Sequence, residues 1–260
     1  MKLGINIDHV AVLREAREVN DPDILQALYV ACQSGADQIT IHLREDRRHI
    51  QDKDVLNIMQ LSKLPVNLEC SINSEIIDIV SEVKPHRATL VPEKREEVTT
   101  EGGLDVFTHE DAISYAIEQL HDSIIPVSLF VDPTIEAMEK SKELGAEMVE
   151  LHTGHFANIF AMLHSSLPSS KHSIKELELP RYELSEKLEH AFQQIQNSAS
   201  HAKKLGLEVA AGHGLNYHNV HAMMTIEEIA ELNIGQSIIA RSIFSGLSEA
   251  IKEMKRLTTR

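Results

Sequence analysis

Eight short apolar runs alternating with helical patterns predict a single-domain α/β fold, the closed (β/α)8 TIM barrel with an extra helical insertion. Two further observations support it. Three of the helical patterns end in a glycine just before the next run. In five of the runs, one side of the strand alternation is polar. An open doubly wound sheet is the runner-up, but no GxGxxG turn supports a dinucleotide site.

Side chains alternate across a strand. The first run, 2–8, sets Leu3, Ile5 and Ile7 against Gly4, Asn6 and Asp8. A helical pattern at 22–34 ends in Ser34-Gly35-Ala36-Asp37, where glycine takes the left-handed turn that closes a helix. The second run, 37–43, opposes Ile39, Ile41 and Leu43 to Thr40 and His42, and a helix is expected at 53–63. The third, 65–70, opposes Val66 and Leu68 to Asn67 and Glu69, ahead of a helix at 73–83. The fourth, 87–92, precedes a helix at 109–120. The fifth, 126–131, opposes Val127, Leu129 and Val131 to Ser128 and then Asp132. Its helix, 133–144, ends in Leu144-Gly145-Ala146-Glu147. The sixth, 148–153, opposes Val149 and Leu151 to Glu150 and His152. A Ser- and Pro-rich stretch from His164 then breaks the rhythm, and an inserted loop with a short helix is expected at about 164–189. The sixth helix, 188–205, ends in Leu205-Gly206-Leu207-Glu208. Strands at 208–212 and 234–240, with helices at 217–229 and 244–256, complete the barrel.

Composition bounds the partners. A net charge of −15 argues against broad nucleic-acid or anionic-membrane binding. Trp is absent and aromatics are 4%, so base-stacking platforms are not expected. Cys32 and Cys70 form no CxxC pair and read as small core residues of a reduced protein. The start lacks a long apolar signal region, and no run approaches the roughly 20 residues of a membrane span. A cytoplasmic enzyme is the expectation.

The polar parity carries the chemistry. Helices cover a barrel's outside, so the polar side chains face the axis, and they gather at the carboxyl ends, the catalytic face of this fold. His42 and Glu69 end adjacent strands and can form an acid–base pair. Glu150 lies inside the sixth strand, where burial can keep it protonated or a cationic transition state can need its charge. His213 stands between Gly212 and Gly214, where the backbone can approach a ligand closely.

Anion sites are the second theme. The turns after strands seven and eight, Gly212-His213-Gly214 and Asn233-Ile234-Gly235-Gln236-Ser237, can form nests of backbone N–H groups. Thr99-Thr100-Glu101-Gly102-Gly103 has similar character. In Ile41-His42-Leu43-Arg44-Glu45-Asp46-Arg47-Arg48-His49-Ile50, the strand end aims His42 inward and leaves Arg44 and His49 as phosphate or sugar contacts. Glu45, Asp46, Arg47 and Arg48 read as scaffold, pairing among themselves. Several anion features imply two phosphorylated substrates or one with two phosphates.

Asn6-Ile7-Asp8-His9, the 42–49 string, Asn67-Leu68-Glu69, Leu90-Val91-Pro92-Glu93-Lys94-Arg95, the 97–105 string, Glu150-Leu151-His152-Thr153-Gly154, Ala211-Gly212-His213-Gly214-Leu215 and Leu232-Asn233-Ile234-Gly235 resemble the pyridoxine 5′-phosphate synthase (PdxJ) family over nearly the whole chain. The resemblance fails only across about 164–189. It implies a (β/α)8 barrel that condenses 1-deoxy-D-xylulose 5-phosphate with 3-amino-2-oxopropyl phosphate, releasing phosphate and water, with no metal or organic cofactor. By motif position, His42 and Glu69 would accept protons, His213 would donate one and Glu150 would stabilise the transition state. Asp8, His9, Arg44, His49 and Thr99 would hold the deoxyxylulose phosphate. Asn6, Arg17, Gly214, Gly235 and Gln236 would hold the aminoketone phosphate. Gln236 stands where a histidine is familiar, and its backbone N–H can still serve. The resemblance also implies a homo-oligomer, typically an octamer. Two rivals stand beside it. One is a divalent-metal sugar-phosphate epimerase with His42, Glu69, Glu150 and His213 as ligands. The other is a non-catalytic phosphometabolite-binding barrel.

Overall fold

The computed structural model describes residues 1–93 and 102–260. Eight strands run β1 Lys2–Asn6, β2 Gln38–Leu43, β3 Val66–Cys70, β4 Arg87–Leu90, β5 Val127–Val131, β6 Met148–His152, β7 Glu208–Gly212 and β8 Glu231–Ile234. All neighbours pair parallel, and β1 pairs with β8, so the sheet closes in sequence order. The helices are α1 Asp8–Glu15, α2 Ile24–Gln33, α3 Asp52–Leu61, α4 Ser74–Val83, α5 Glu110–Asp122, α6 Ile135–Glu143, α7 Gly154–His164, α8 Arg181–Lys204, α9 Val220–Met224, α10 Gln236–Ser245 and α11 Leu247–Leu257. The expected barrel is therefore observed. No helix among the described residues is long and apolar enough to cross a membrane.

Local chemistry sets the helix ends. Asp23, Asn73 and Thr134 cap α2, α4 and α6 by accepting from backbone N–H groups of the first turn. Gly35, Gly145 and Gly206, after α2, α6 and α8, all take positive φ, as their helix-ending positions predicted.

The core lies between strands and helices. Leu3, Ile5, Ile39, Ile41, Leu68, Leu129, Val149, Leu151, Val209 and Leu232 are fully buried there. The opposite parity points to the axis. Polar residues fill it by bonding to one another, which removes the cost of burying them unpaired, roughly 1–3 kcal/mol each. Gln38 Nε2 donates to Glu231 Oε1 at 2.9 Å, and Thr40 Oγ1 donates to Asn233 Oδ1 at 3.1 Å. Thr89 Oγ1 donates to Asn67 Oδ1 at 2.7 Å. Arg87 donates to Glu231 in a buried ion pair and to Asn67 Oδ1 at 3.3 Å.

Several expected boundaries are corrected. The eighth strand is Glu231–Ile234, not 234–240, which belongs mostly to α10. Glu231 and Asn233 point to the polar axis, so this strand lacks an apolar signature, while Ile238 and Ile239 are buried on a helix. The first strand stops at Asn6, and Asp8 opens α1, a helix not anticipated. The unanticipated α7 follows β6 directly; its N-cap, Thr153, makes no side-chain cap bond that would mark the start. Two short 3-10 turns, Leu167–Ser169 and Lys175–Leu177, occupy the expected insertion. Its charged second half is the beginning of α8, at Arg181. The predicted helix at 217–229 shrinks to Val220–Met224, and the one at 244–256 divides at Gly246, which has φ 78°.

Candidate active site

The carboxyl ends of the strands open into a cavity of about 560 Å³. Asn6, His9, His42, Arg44, Glu69, Glu150, His213, Gly214, Gly235 and Gln236 all line it. Adjacent strands bring their groups together in register: His42 pairs with Glu69, and Phe130 with Glu150. Asp8 and His49 are buried behind the wall. Arg17 is exposed on the turn after α1 and does not line the cavity. Thr99 lies outside the described residues.

Two carboxyls lie deep in this space. Burial pushes Glu69 well above the usual carboxylate range, and the nearby Glu150 and Asp8 push in the same direction. Burial also raises Glu150, to about 7, although the hydrogen bond from Asn233 and the charge of Arg87 oppose it. Asn233 Nδ2 donates to Glu150 Oε2 at 2.7 Å. A Cβ on Gly212, one strand over, would stand 2.2 Å from Glu150 Oε1, so only glycine leaves room for that carboxyl. A carboxyl held near 7, as Glu150 is, can exchange protons near neutral pH.

His42 is not hydrogen-bonded to Glu69, which corrects the expected acid–base pair. Its Nε2 donates to Glu93 Oε1 at 3.0 Å, from the segment after β4. Glu93 Oε2 accepts from the Glu45 backbone N–H at 3.0 Å. Burial works against the Glu93 charge, but these bonds hold its carboxyl below the usual range. A carboxylate only accepts, so His42 Nε2 carries the hydrogen of this bond. Asp8 accepts from the His42 backbone N–H at 3.1 Å and from Asn6 Nδ2 at 3.0 Å, and burial raises it to about 6.

His49 Nδ1 accepts from Ile50 N–H at 2.8 Å, and its ring meets that of His42 edge to face at 6.0 Å. Burial lowers His49 to about 4, with His42, Arg44 and His9 adding to the effect, so the ring is neutral at neutral pH. His9 is lowered by burial and by His213, and its Nδ1 is buried without a partner. The charged string behaves mostly as scaffold. Arg48 Nη2 and Arg44 Nε donate to Asp46 at 2.6 and 3.3 Å. Arg47 instead reaches the Arg44 and Glu45 carbonyls and Asp52.

Reading the sequence missed Arg87, Glu231 and the partnership of Glu93 with His42. Arg87 carried a signal, since it is a charge at the first position of a strand whose later residues are buried. The partnerships carried none, because they join residues far apart in the chain.

A family model described as pyridoxal phosphate biosynthesis protein PdxJ matches residues 3–260. The pyridoxine 5′-phosphate synthase of Sulfurimonas denitrificans is 78% identical over 260 residues, covering 100% of both chains. That of a Nitratiruptor species is 62% identical over 257 residues, covering 99% of this chain and 97% of its own. Among solved structures, thiamine phosphate pyrophosphorylase from Pyrococcus furiosus superposes with TM-score 0.58 at 13% identity, covering 99% of this chain and 95% of its own. Phosphoribosylanthranilate isomerase from Thermotoga maritima gives 0.56 at 14% identity, covering 99% and 98%. These distant structures share the fold alone. The family match over residues 3–260, with relatives identical at 78% and 62% along nearly their whole length, shows that the chain belongs to the PdxJ family.

Proposed function

We infer that this chain is a pyridoxine 5′-phosphate synthase. It condenses 1-deoxy-D-xylulose 5-phosphate with 3-amino-2-oxopropyl phosphate, closes the pyridine ring and releases phosphate and water. The observation that carries the reading is the convergence of Glu69, Glu150, His42 and His213 on one cavity edged by anion-binding groups. Its relatives at 78% and 62% identity are named for the same activity.

Ring closure needs imine formation, repeated proton transfers, dehydration and phosphate loss. Glu69 and His42 serve as proton acceptors, His42 through Nδ1 because Nε2 is committed to Glu93. His213 donates a proton to a departing oxygen. Glu150, when ionised, stabilises cationic character in the transition state. Holding both substrates in register supplies much of the rate by proximity. These steps are acid–base chemistry and use no metal or organic cofactor.

Arg44, with His9, Asp8, His49 and Thr99, is assigned to the deoxyxylulose phosphate. Gly214, Gly235, Gln236 and Asn6 are assigned to the aminoketone phosphate. Gln236 begins the ten-residue α10, whose first N–H groups suit an anion. Its side chain cannot titrate as a histidine does, and its backbone N–H can serve the anion. The role of Arg17 rests on the family resemblance, since this exposed residue is not among those lining the cavity.

The epimerase reading fares worse. No group of three His, Cys, Asp or Glu among the described residues could hold a metal ion. A pure binding barrel would need Arg44 but not the inward carboxyls. The deciding experiment supplies both phosphorylated substrates and identifies the product by mass spectrometry. Pyridoxine 5′-phosphate is expected; tight binding without turnover would favour the binding barrel.

The proposal extends to a cytoplasmic homo-oligomer, an octamer by the family resemblance. Phe244 at 91% and Ile124 at 89% exposure are large apolar side chains suited to subunit contacts. Light scattering at working concentration tests this, and a monomer would overturn it.

A further inference from the structure

Two further groups, His152 and Asp132, pack behind His213. Asp132, just after β5, lies with its Oδ1 3.0 Å from His152 Nδ1. The same oxygen accepts the Gly103 backbone N–H at 2.9 Å. The bond from His152, helped by that from Gly103, holds the Asp132 carboxyl below its usual range. An ionised carboxylate only accepts, so His152 Nδ1 carries the hydrogen of this bond. Its Nε2 is buried and has no hydrogen-bond partner among the described residues.

That ring abuts His213. The two imidazoles meet edge to face with centroids 5.0 Å apart, and Phe130 packs on both at 5.2 and 6.2 Å. The rings close over Gly154: a Cβ there would lie 2.5 Å from His152 Nε2 and 2.9 Å from His213 Cδ2. The backbone is seated as well. His213 has φ 74°, a left-handed conformation that costs a non-glycine residue free energy. Thr153 Oγ1 lies 2.7 Å from both the Gly212 and His213 carbonyls and donates to this pair.

We propose that Asp132 and His152 are positioning residues for His213, with Thr153 and Gly154 shaping the same seat. Asp132 fixes the tautomer and plane of His152, and His152 fixes the plane of the His213 ring facing the cavity. This rests on the reading of His213 as proton donor. Among the described residues, the charged and titratable groups around His213 include His9 of α1, Glu150 and His152 of β6, and Asp132 behind His152.

The test compares His152→Phe, which keeps a ring but loses the bond to Asp132, with His152→Asn, which keeps a donor but loses the ring. A third variant, Asp132→Ala, changes a side chain 54% exposed, so the fold should tolerate it. In all three, kcat should fall roughly 10- to 100-fold while both KM values stay within about threefold, because misaligned groups lose rate more than binding. The 15N resonances of the His213 imidazole should shift in each variant. Folded variants with kcat within twofold of wild type and unchanged His213 resonances would overturn the proposal. His213→Gln separates the two readings. If it abolishes turnover while the other variants are normal, positioning fails alone; if it leaves turnover intact, the donor role fails and positioning with it.

Discussion

Asn233 reaches over the intervening β7 to donate its Nδ2 hydrogen to Glu150 Oε2 at 2.7 Å. The same amide oxygen accepts from Thr40 Oγ1 at 3.1 Å. One side chain thus ties the floor of the barrel to the carboxyl of the proposed site. Burial sets Glu150 near 7 and the Asn233 bond pulls against that rise. Replacing Asn233 with Ala removes the pull and raises the Glu150 pKa. If ionised Glu150 is the working form, the acid limb of kcat moves up by about one pH unit, the worth of one hydrogen bond. A kcat profile from acid to alkaline pH checks this, and an unmoved limb rejects the role of Glu150.

Glu69→Gln keeps the shape and polarity of the side chain but cannot take up a proton. Substrate binding should persist while turnover drops roughly 100-fold or more, as for a lost general base. Steady-state kinetics with both substrates decides it. Near-wild-type kcat would remove Glu69 from the mechanism.

Arg44→Lys exchanges a planar fork for a point charge. Arg44 lines the cavity while its Nε is anchored on Asp46 at 3.3 Å. The KM for the deoxyxylulose phosphate should rise about 10-fold with kcat less affected, since one bidentate phosphate contact is lost. An unchanged KM contradicts the assignment.

Arg87→Met tests the floor. Arg87 pairs with Glu231, which is 2% exposed, and also bonds Asn67. Removing one member of a buried pair leaves the other charge uncompensated and costs about 3–5 kcal/mol. Thermal unfolding should shift down by roughly 10 °C for a domain of this size. A double variant, Arg87→Met with Glu231→Gln, should recover part of that loss.

Asp8 offers a pH test of stability. Its carboxyl is raised from 3.8 to about 6 by burial, so folding favours its protonated form. Below about 4 it is protonated in both states and costs nothing. As pH rises through about 6 it ionises in the folded state as well, and stability falls by about 3 kcal/mol in total. Asp8→Asn should therefore unfold at higher temperature than wild type at pH 8. The difference should shrink through pH 6 and vanish near pH 4. Melting curves across this range test the sign, and a variant less stable at pH 8 would falsify it.

Strand alternation and glycine-ended helices determined the alternating α/β pattern from sequence alone, and its eight units predicted the barrel. They are local signals with a period of two and a left-handed turn, and they need no knowledge of the rest of the chain. The same alternation placed His42, Glu69 and Glu150 inward, and all three line the cavity. What the local signals could not carry is partnership. Glu231–Ile234 escaped notice because a strand whose inward face is Glu231 and Asn233 shows little apolar pattern. The pairing of Arg87 with Glu231 joins positions 144 residues apart, and that of His42 with Glu93 joins positions 51 apart. Only closure of β1 onto β8 brings Asn233 to Thr40 and completes the ring around Glu150. Sequence chose which side chains enter the barrel. Tertiary structure chose which of them touch, and with that the charge state of each, because burial and a neighbour's hydrogen bond set a pKa and neither exists before the barrel closes.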